Sequence, residues 1–216
     1  MTANRPDRIV AGAQALGVEL DEAQIVLLRR YLDLLEKWNV AYNLTAVRSR
    51  KAMEVEHILD SLAVVPHIGA GPVLDVGSGG GLPGLVLAVA RPQWQHLLID
   101  SNGKKTRFLK QAVHDLGLRN VVVQQARIEA VQVAVPIATV VSRAFAALPD
   151  MAHSCRVLLD GGARLVAMKG VCPDDEIAAL PADVMVAQVI RLVVPGLDKE
   201  RHLVCIVRRH DEMAIP

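Results

Sequence analysis

The residues best suited to chemistry begin with a glycine-rich run, Val73-Leu74-Asp75-Val76-Gly77-Ser78-Gly79-Gly80-Gly81-Leu82-Pro83-Gly84. A β-prone stretch precedes the glycines and a helix-prone stretch, Leu85 to Ala90, follows them. A chain that reverses sharply between strand and helix needs positions without a Cβ, and its bare backbone can then approach a nucleotide-like ligand. Gly79 to Gly84 fits the Gly-x-Gly-x-x-Gly dinucleotide fingerprint. Asp75 to Gly81 also fits the acidic-x-Gly-x-Gly-x-Gly pattern of S-adenosylmethionine sites, and this match starts at the strand's end, where the tight turn must lie. It is therefore preferred, with Gly77, Gly79 and Gly81 as candidate cofactor contacts. A Walker loop is excluded, because no Gly-Lys-Ser/Thr follows. Asp100 ends the next β-prone run, 23 positions after Gly77. An acidic side chain there accepts the ribose hydroxyls of an adenosine, in NAD and S-adenosylmethionine sites alike. A second reading makes Asp100 the cap of the helix that begins nearby.

The elements that must position these residues follow from periodicity. Asp21 is a plausible helix cap, and Ile25, Leu28, Leu32, Leu35 and Trp38 then fall on one face. A shorter helix is expected over about Arg8 to Leu16, ended by Gly17, and another from Ser49 to about Val65. Beyond Gly71 short strands alternate with helices. The strands are expected at Val73 to Val76, Leu97 to Asp100, Val121 to Val123, Ala138 to Ser142 and Ala163 to Met168. Helices are expected at Leu85 to Ala90, Lys104 to Leu116 and Leu148 to Leu158. Such alternation builds a mostly parallel sheet covered on both faces. Two late strands, Val184 to Val194 and His202 to Val207, are joined through Pro195 to Asp198. So short a connection makes them an antiparallel pair. The expected fold is α/β and Rossmann-like, with an antiparallel C-terminal hairpin and an N-terminal helical extension. The extension is expected over residues 1–70 and the Rossmann-like domain over 71–216.

Composition narrows the class. Hydrophobic residues make up 52% and aromatic residues 3%, so the core must be aliphatic and stacked-base platforms are few. The formal charge is +1, so any nucleic-acid site must be a local patch. Three such patches exist: Arg48, Arg50 and Lys51; Lys104, Lys105, Arg107 and Lys110; and Arg208 with Arg209. The second follows the cofactor strand and is the best phosphate-contact candidate. Cys155, Cys172 and Cys205 are odd in number and far apart, which reads as reduced thiols rather than disulfides or a zinc site. With no leader-like start and no apolar run of spanning length, the expected location is the cytoplasm, without membrane attachment.

The chain resembles the RsmG (GidB) family of 16S ribosomal RNA guanine-N7 methyltransferases over essentially its whole length. The resemblance rests on WNVAYNLTAV at Trp38 to Val47, HILDSL at His57 to Leu62 and LDVGSGGGLPGLVLA at Leu74 to Ala88. It continues with DSNGKKTRFL at Asp100 to Leu109, VVSRAFAAL at Val140 to Leu148, MKG at Met168 to Gly170 and ERHLV at Glu200 to Val204. It implies a class I methyltransferase fold and methyl transfer from S-adenosylmethionine, leaving S-adenosylhomocysteine. The implied target is N7 of guanine 527 of the small-subunit RNA, met as RNA, assembly intermediate or subunit, by a monomer. By the same resemblance Gly77 and Leu82 are cofactor contacts, and Ile128 with Glu129 border the adenine. Arg143 contacts the cofactor or the target pocket, and Arg201 is an arginine implicated in activity. The chain departs mildly at Ile128, where a smaller apolar residue is frequent, and at Met168, where Leu is common.

Guanine N7 carries a lone pair and no proton, so its methylation needs alignment rather than a general base. Arg143 and Arg201 are accordingly expected to position the guanine, donating to O6 or to phosphates while leaving N7 open. Lys104, Lys105, Arg107 and Arg201 are the candidate RNA contacts. No metal is expected. None of the seven histidines falls in a triad-like or metal-spaced cluster, and His57, three residues before Asp60, is expected to pair with it structurally. An NAD-linked oxidoreductase would need a partner such as Tyr-x-x-x-Lys, yet Tyr31 and Tyr42 lie in the N-terminal helices. An RNA-binding assembly protein with a relict site is disfavoured by the intact Asp75 to Gly84 loop and Asp100.

Overall fold

The computed structural model describes residues 7–143 and 146–209. Ala144 and Phe145, in the middle of the Val140 to Leu148 segment, and both chain ends lie outside them.

Two helices open the chain, α1 (Arg8–Ala15) and α2 (Glu22–Tyr42). The side chain of Asp7 caps α1 by accepting from Val10 N, and Gly17 takes the left-handed turn beyond Leu16. Asp21 and Gln24 form a reciprocal capping box on α2, which satisfies backbone groups that a helix start leaves unpaired. The apolar stripe of α2 buries Leu28, Tyr31, Leu32 and Leu35 completely. Each such side chain is worth about 1.5–3 kcal/mol relative to exposure. The expected single helix after Ser49 is a composite: α3 (Arg50–Met53), one π-helical turn (Glu54–Leu59) and α4 (Asp60–Leu62), with a 3-10 turn at Val65–His67. The π turn lies one residue ahead of Asp60, and π turns concentrate at functional sites.

The remaining chain builds a seven-stranded sheet: β1 (Val73–Val76), β2 (His96–Asp100), β3 (Val121–Gln125), β4 (Thr139–Arg143), β5 (Arg164–Lys169), β6 (Val184–Arg191) and β7 (His202–Arg208). Its order is β3-β2-β1-β4-β5-β7-β6. Five strands are parallel, and β7 runs antiparallel between β5 and β6. The connections use α5 (Gly84–Ala90), α6 (Gly103–Leu116), α7 (Leu148–Ser154), α8 (Arg156–Asp160) and α9 (Asp174–Ala178).

The helix expected from Leu148 to Leu158 is broken at Cys155 into α7 and α8, and the penultimate strand stops at Arg191, short of Val194. Helix α9 has no buried residue and therefore gave the sequence no apolar period to read. One core fills the space between the N-terminal helices, α5, α6 and one face of the sheet, and a second covers the opposite face beneath α7 and α8. The N-terminal helices thus share a core with the sheet.

Chain order reverses between β1 and β4, the point at which open α/β sheets bind ligands beyond the carboxyl ends of their strands. Because β7 is antiparallel to β5, with His202 opposite Lys169, its first residues lie at that same edge. The reversal brings Arg201, far along the chain, to the mouth of the parallel strands.

Candidate active site

At the end of β1 the backbone N–H groups of Gly77 and Ser78 both donate to Ile99 O at 3.0 Å, which fixes the turn against β2. Gly79 N donates to Asp100 Oδ2 at 3.0 Å, and Asn102 N donates to Asp100 Oδ1 at 2.8 Å. Asp100 is thus a clasp between the glycine turn and the start of α6, whose cap is Asn102. Each carboxylate oxygen keeps lone-pair capacity for a further donor, since an ionised carboxylate has about four acceptor positions.

Gly79 sits at φ +57°, and a Cβ placed there would meet only Gly77 O at 3.8 Å. The space beside Gly79 is therefore open, although Gly79 itself is not among the residues lining the cleft beside the turn. Gly81, at φ +89°, is constrained from within: an added Cβ would lie 2.4 Å from Leu85 Cδ1.

The loop is held from behind by Asp75, the acidic residue of its motif, and by Tyr31, to which sequence reasoning gave no role there. Asp75 accepts from Gly84 N at 2.9 Å through Oδ2, tying the end of β1 to the first turn of α5. Burial raises its pKa to about 7, with the Gly84 bond opposing the rise. Tyr31, fully buried on α2, donates its hydroxyl to Gly80 O at 2.6 Å. Burial also raises the Tyr31 pKa, so the phenol stays a donor at every ordinary pH. A tyrosine inside an apolar helical stripe was the available signal, because a buried hydroxyl needs a partner.

A cleft of about 340 Å³ opens beside this turn, lined by Val76, Gly77, Ile99, Asp100, Lys105, Ile128 and Glu129 among others. The structure thus brings Gly77, Asp100, Ile128 and Glu129 to one surface. Leu82 is buried beneath the loop, and Gly81 packs on Leu85 and Leu109, so neither lines the cleft. A bare-backbone turn, an acidic residue with spare acceptor capacity and an apolar floor at Val76, Ile99 and Ile128 suit a nucleoside with vicinal hydroxyls. Lys105, expected among the RNA contacts, lies in this cleft with Nζ 3.8 Å from Asp100. Lys104 and Arg107 are exposed on α6, and Arg107 donates to Tyr42 Oη at 3.4 Å.

Arg143 and Arg201 do not line that cleft; they meet on the carboxylate of Asp60. Arg201 Nε donates to Asp60 Oδ1 at 2.9 Å, and Arg143 Nη1 lies 3.4 Å from Asp60 Oδ2 while donating to Glu56 O at 3.0 Å. Asp60 is 1% exposed, whereas the arginine side chains are 24% and 19% exposed. Burial pushes the Asp60 pKa up, and the charges of Arg201 and then Arg143 oppose it. Two guanidiniums on one carboxylate leave a net positive charge at the edge of the sheet.

The expected pairing of His57 with Asp60 is replaced by this arrangement. His57 Nε2 is instead 2.8 Å from Thr45 Oγ1, and Thr45 N donates to Asn39 Oδ1. A helical offset of three places His57 near Asp60 in sequence, but the arginines offer the carboxylate charge as well as hydrogen bonds. Burial lowers the His57 pKa to about 4, leaving the ring neutral near pH 7. The sequence offered Asp60 as a partner for His57 and as a charged residue among the apolar Ile58, Leu59 and Leu62, with no sign of the two arginines.

Two of the basic patches lose their lead cation to internal pairing. Arg50 is tied to Asp33, Glu36 and the Arg29 carbonyl. Arg208 pairs with Asp160 and Asp183. The α6 patch keeps Lys104 and Lys110 exposed. Among the described residues no group of three or more His, Cys, Asp or Glu could hold a metal ion, and no helix is long and apolar enough to cross a membrane.

A family model described as rRNA small subunit methyltransferase G (GidB) matches residues 24–204. Ribosomal RNA small subunit methyltransferase G of Hahella chejuensis is 48% identical over 95% of this chain and 94% of its own length. Its namesake in Neisseria meningitidis serogroup A is 52% identical over 95% of this chain and 99% of its own. Among solved structures, a protein of the NADB-Rossmann superfamily from Streptococcus agalactiae superimposes with a TM-score of 0.57 at 18% identity, covering 69% of this chain and 67% of that one. A ribosomal protein L11 methylase from Lactobacillus delbrueckii gives 0.52 at 15% identity, covering 75% and 80%. At such identities these structures speak for the Rossmann-like fold alone. The extended match at about half identity is what assigns the chain: it belongs to the rRNA small subunit methyltransferase G family.

Proposed function

We propose that the protein transfers the methyl group of S-adenosylmethionine to N7 of guanine 527 in 16S ribosomal RNA. Family membership supports the reaction. The observation that carries the division of labour is the presence of a cleft lined by Gly77, Asp100, Ile128 and Glu129 and, apart from it, two arginine forks at the same edge of the sheet. When bound, S-adenosylmethionine supplies an electrophilic methyl group on a sulfonium. Asp100 would accept from the ribose hydroxyls, Gly77 and Gly79 would let the backbone approach, and Ile128 with Glu129 would border the adenine. Arg143 and Arg201 would hold the guanine or a flanking phosphate while leaving N7 free, because an arginine bonded to N7 would block its lone pair.

The chemistry asks for alignment and not for proton removal. His57, next to Glu56 and three residues before Asp60, fits that demand, since burial keeps its ring neutral near pH 7 and its Nε2 is engaged by Thr45. With saturating cofactor, the single-turnover rate should therefore show no basic limb from a side-chain base between about pH 6 and 8. Asp75 titrates near 7, but it sits behind the cofactor loop, so its effect belongs to cofactor affinity. Lys104 and Lys110 would supply phosphate contacts. We further propose a monomer acting in the cytoplasm on ribosomal RNA or a small-subunit particle.

The test is to map N7-methylguanosine in 16S RNA from cells with and without the gene, and to restore it with purified protein and S-adenosylmethionine. Loss and recovery of the mark at guanine 527 is the expected result. An unchanged mark, or binding of NAD in place of S-adenosylmethionine, contradicts the proposal.

A further inference from the structure

We infer that Asp60 is the positioning residue of the substrate half of the site: its buried carboxylate sets the two arginine forks that hold the RNA base. The inference rests on the methyl-transfer reading above and adds to it a residue that touches neither cofactor nor substrate.

Three observations carry it. The carboxylate is 1% exposed, so it cannot itself meet RNA, yet both of its oxygens face guanidiniums. Those guanidiniums come from positions 83 and 141 residues away, at the end of β4 and the start of β7. Among the described residues, the hydrogen bonds of these long side chains run to Asp60, Glu56 O and Glu200 O, none of which lies within β4 or β7. Finally, the contacts leave donors over. Among the described residues Arg201 uses Nε on Asp60 and Nη1 on Glu200 O, which leaves Nη2, and Arg143 uses Nη1, which leaves Nε and Nη2. A guanidinium clamped at one edge presents its remaining N–H groups in a fixed plane, the geometry that recognition of a carbonyl or phosphate oxygen needs.

A carboxylate buried only for packing would be a poor choice. Ion pairs of this kind are often no more stabilising than apolar residues of the same shape. Its value here lies in orientation. The helix supports this use: Asp60 follows the π turn Glu54–Leu59, and Glu56 O, within that turn, receives Arg143. Lys199, two residues before Arg201, donates to Glu56 Oε2 at 2.9 Å and pins the approach to β7 on the same turn.

The substitution Asp60→Asn keeps the volume and one acceptor but removes the charge. Asp60→Glu keeps the charge and moves it outward by one methylene. Both are assayed as full-length protein for S-adenosylmethionine affinity by calorimetry and for single-turnover methylation of small-subunit RNA. A displacement of about 1 Å at a reacting pair costs on the order of 100-fold in rate. We expect a loss of that order in methyl transfer for Asp60→Asn, with cofactor affinity within about twofold of wild type. Asp60→Glu should recover part of the rate, because it restores the charge that grips both forks.

In the background Arg143→Ala, Arg201→Ala, adding Asp60→Asn should cause no further loss, since Asp60 acts through those two arginines. Multiplying losses, a loss matched by weaker cofactor binding, or a wild-type rate in folded Asp60→Asn would each overturn the inference. If Asp60→Asn does not fold, the inference stands or falls on Asp60→Glu, whose rate must drop while its cofactor affinity holds. A wild-type protein that methylates no small-subunit RNA would instead defeat the underlying functional reading.

Discussion

The glycine turn and the arginine cluster lie at the same edge of the sheet and are held by opposite means. The turn is held through its own backbone N–H groups: Gly77 and Ser78 donate to Ile99 O, Gly79 to the Asp100 carboxylate and Gly84 to the Asp75 carboxylate, all within 3.0 Å. The cluster is fixed by charge, with Asp60 bridging arginines from two strands. A backbone cradle is broken by adding atoms, whereas a charged clamp is broken by removing them. Substitutions in the first should damage cofactor binding, and substitutions in the second should damage transfer with the cofactor still bound.

The largest effect is expected at Gly79. Its φ of +57° disfavours a β-branched side chain, and the Cβ would project to the open side of the loop. Gly79→Val should abolish S-adenosylmethionine binding while leaving much of the fold, as calorimetry alongside circular dichroism would report. Full affinity in that variant would mean that the ligand approaches elsewhere.

Next comes Arg201→Ala, expected to slow methyl transfer by roughly 100-fold with little change in cofactor affinity. Arg201→Lys should recover only part, since lysine keeps the charge and loses the planar fork. Asp100→Ala should weaken cofactor binding by about 1–3 kcal/mol, the range for charge-assisted bonds. It removes the acceptor of Gly79 N as well, so part of the loss belongs to the loop. The smallest effect is expected at Tyr31→Phe, which leaves the Gly80 carbonyl without its donor at a cost of about 1–3 kcal/mol in stability. Thermal unfolding should register it, with a smaller weakening of cofactor binding. An unchanged midpoint would show that water replaces the phenol.

The same contrast explains what the sequence could disclose. Asp75 to Gly84 is contiguous, and its residue types state the backbone geometry they permit, so the turn and its place after a strand were legible. Asp100 was legible because strand-end acids at that distance have a known partner. Its bonds to Gly79 and Asn102 were not, since they depend on how β2 meets the loop. The arginine cluster joins α4, β4 and β7, and no local pattern announces a meeting across 141 residues. Resemblance singled out Arg143 and Arg201 without revealing that they share a carboxylate. The π turn was likewise illegible, because Glu54 to Leu62 carries an ordinary helical pattern of apolar residues. Helix α9 escaped for the opposite reason, being wholly without buried residues.

The central claim is that the two halves can be disabled independently, and one paired measurement addresses it. Asp100→Ala and Arg201→Ala would be compared with the wild type by calorimetry for S-adenosylmethionine and by single-turnover methylation of small-subunit RNA at saturating cofactor. The account predicts a crossed result. Asp100→Ala should bind cofactor weakly yet approach the wild-type rate once saturated, and Arg201→Ala should bind normally yet transfer slowly at any cofactor concentration. Parallel losses in both assays by both variants would show a single cooperative site and contradict the division drawn here.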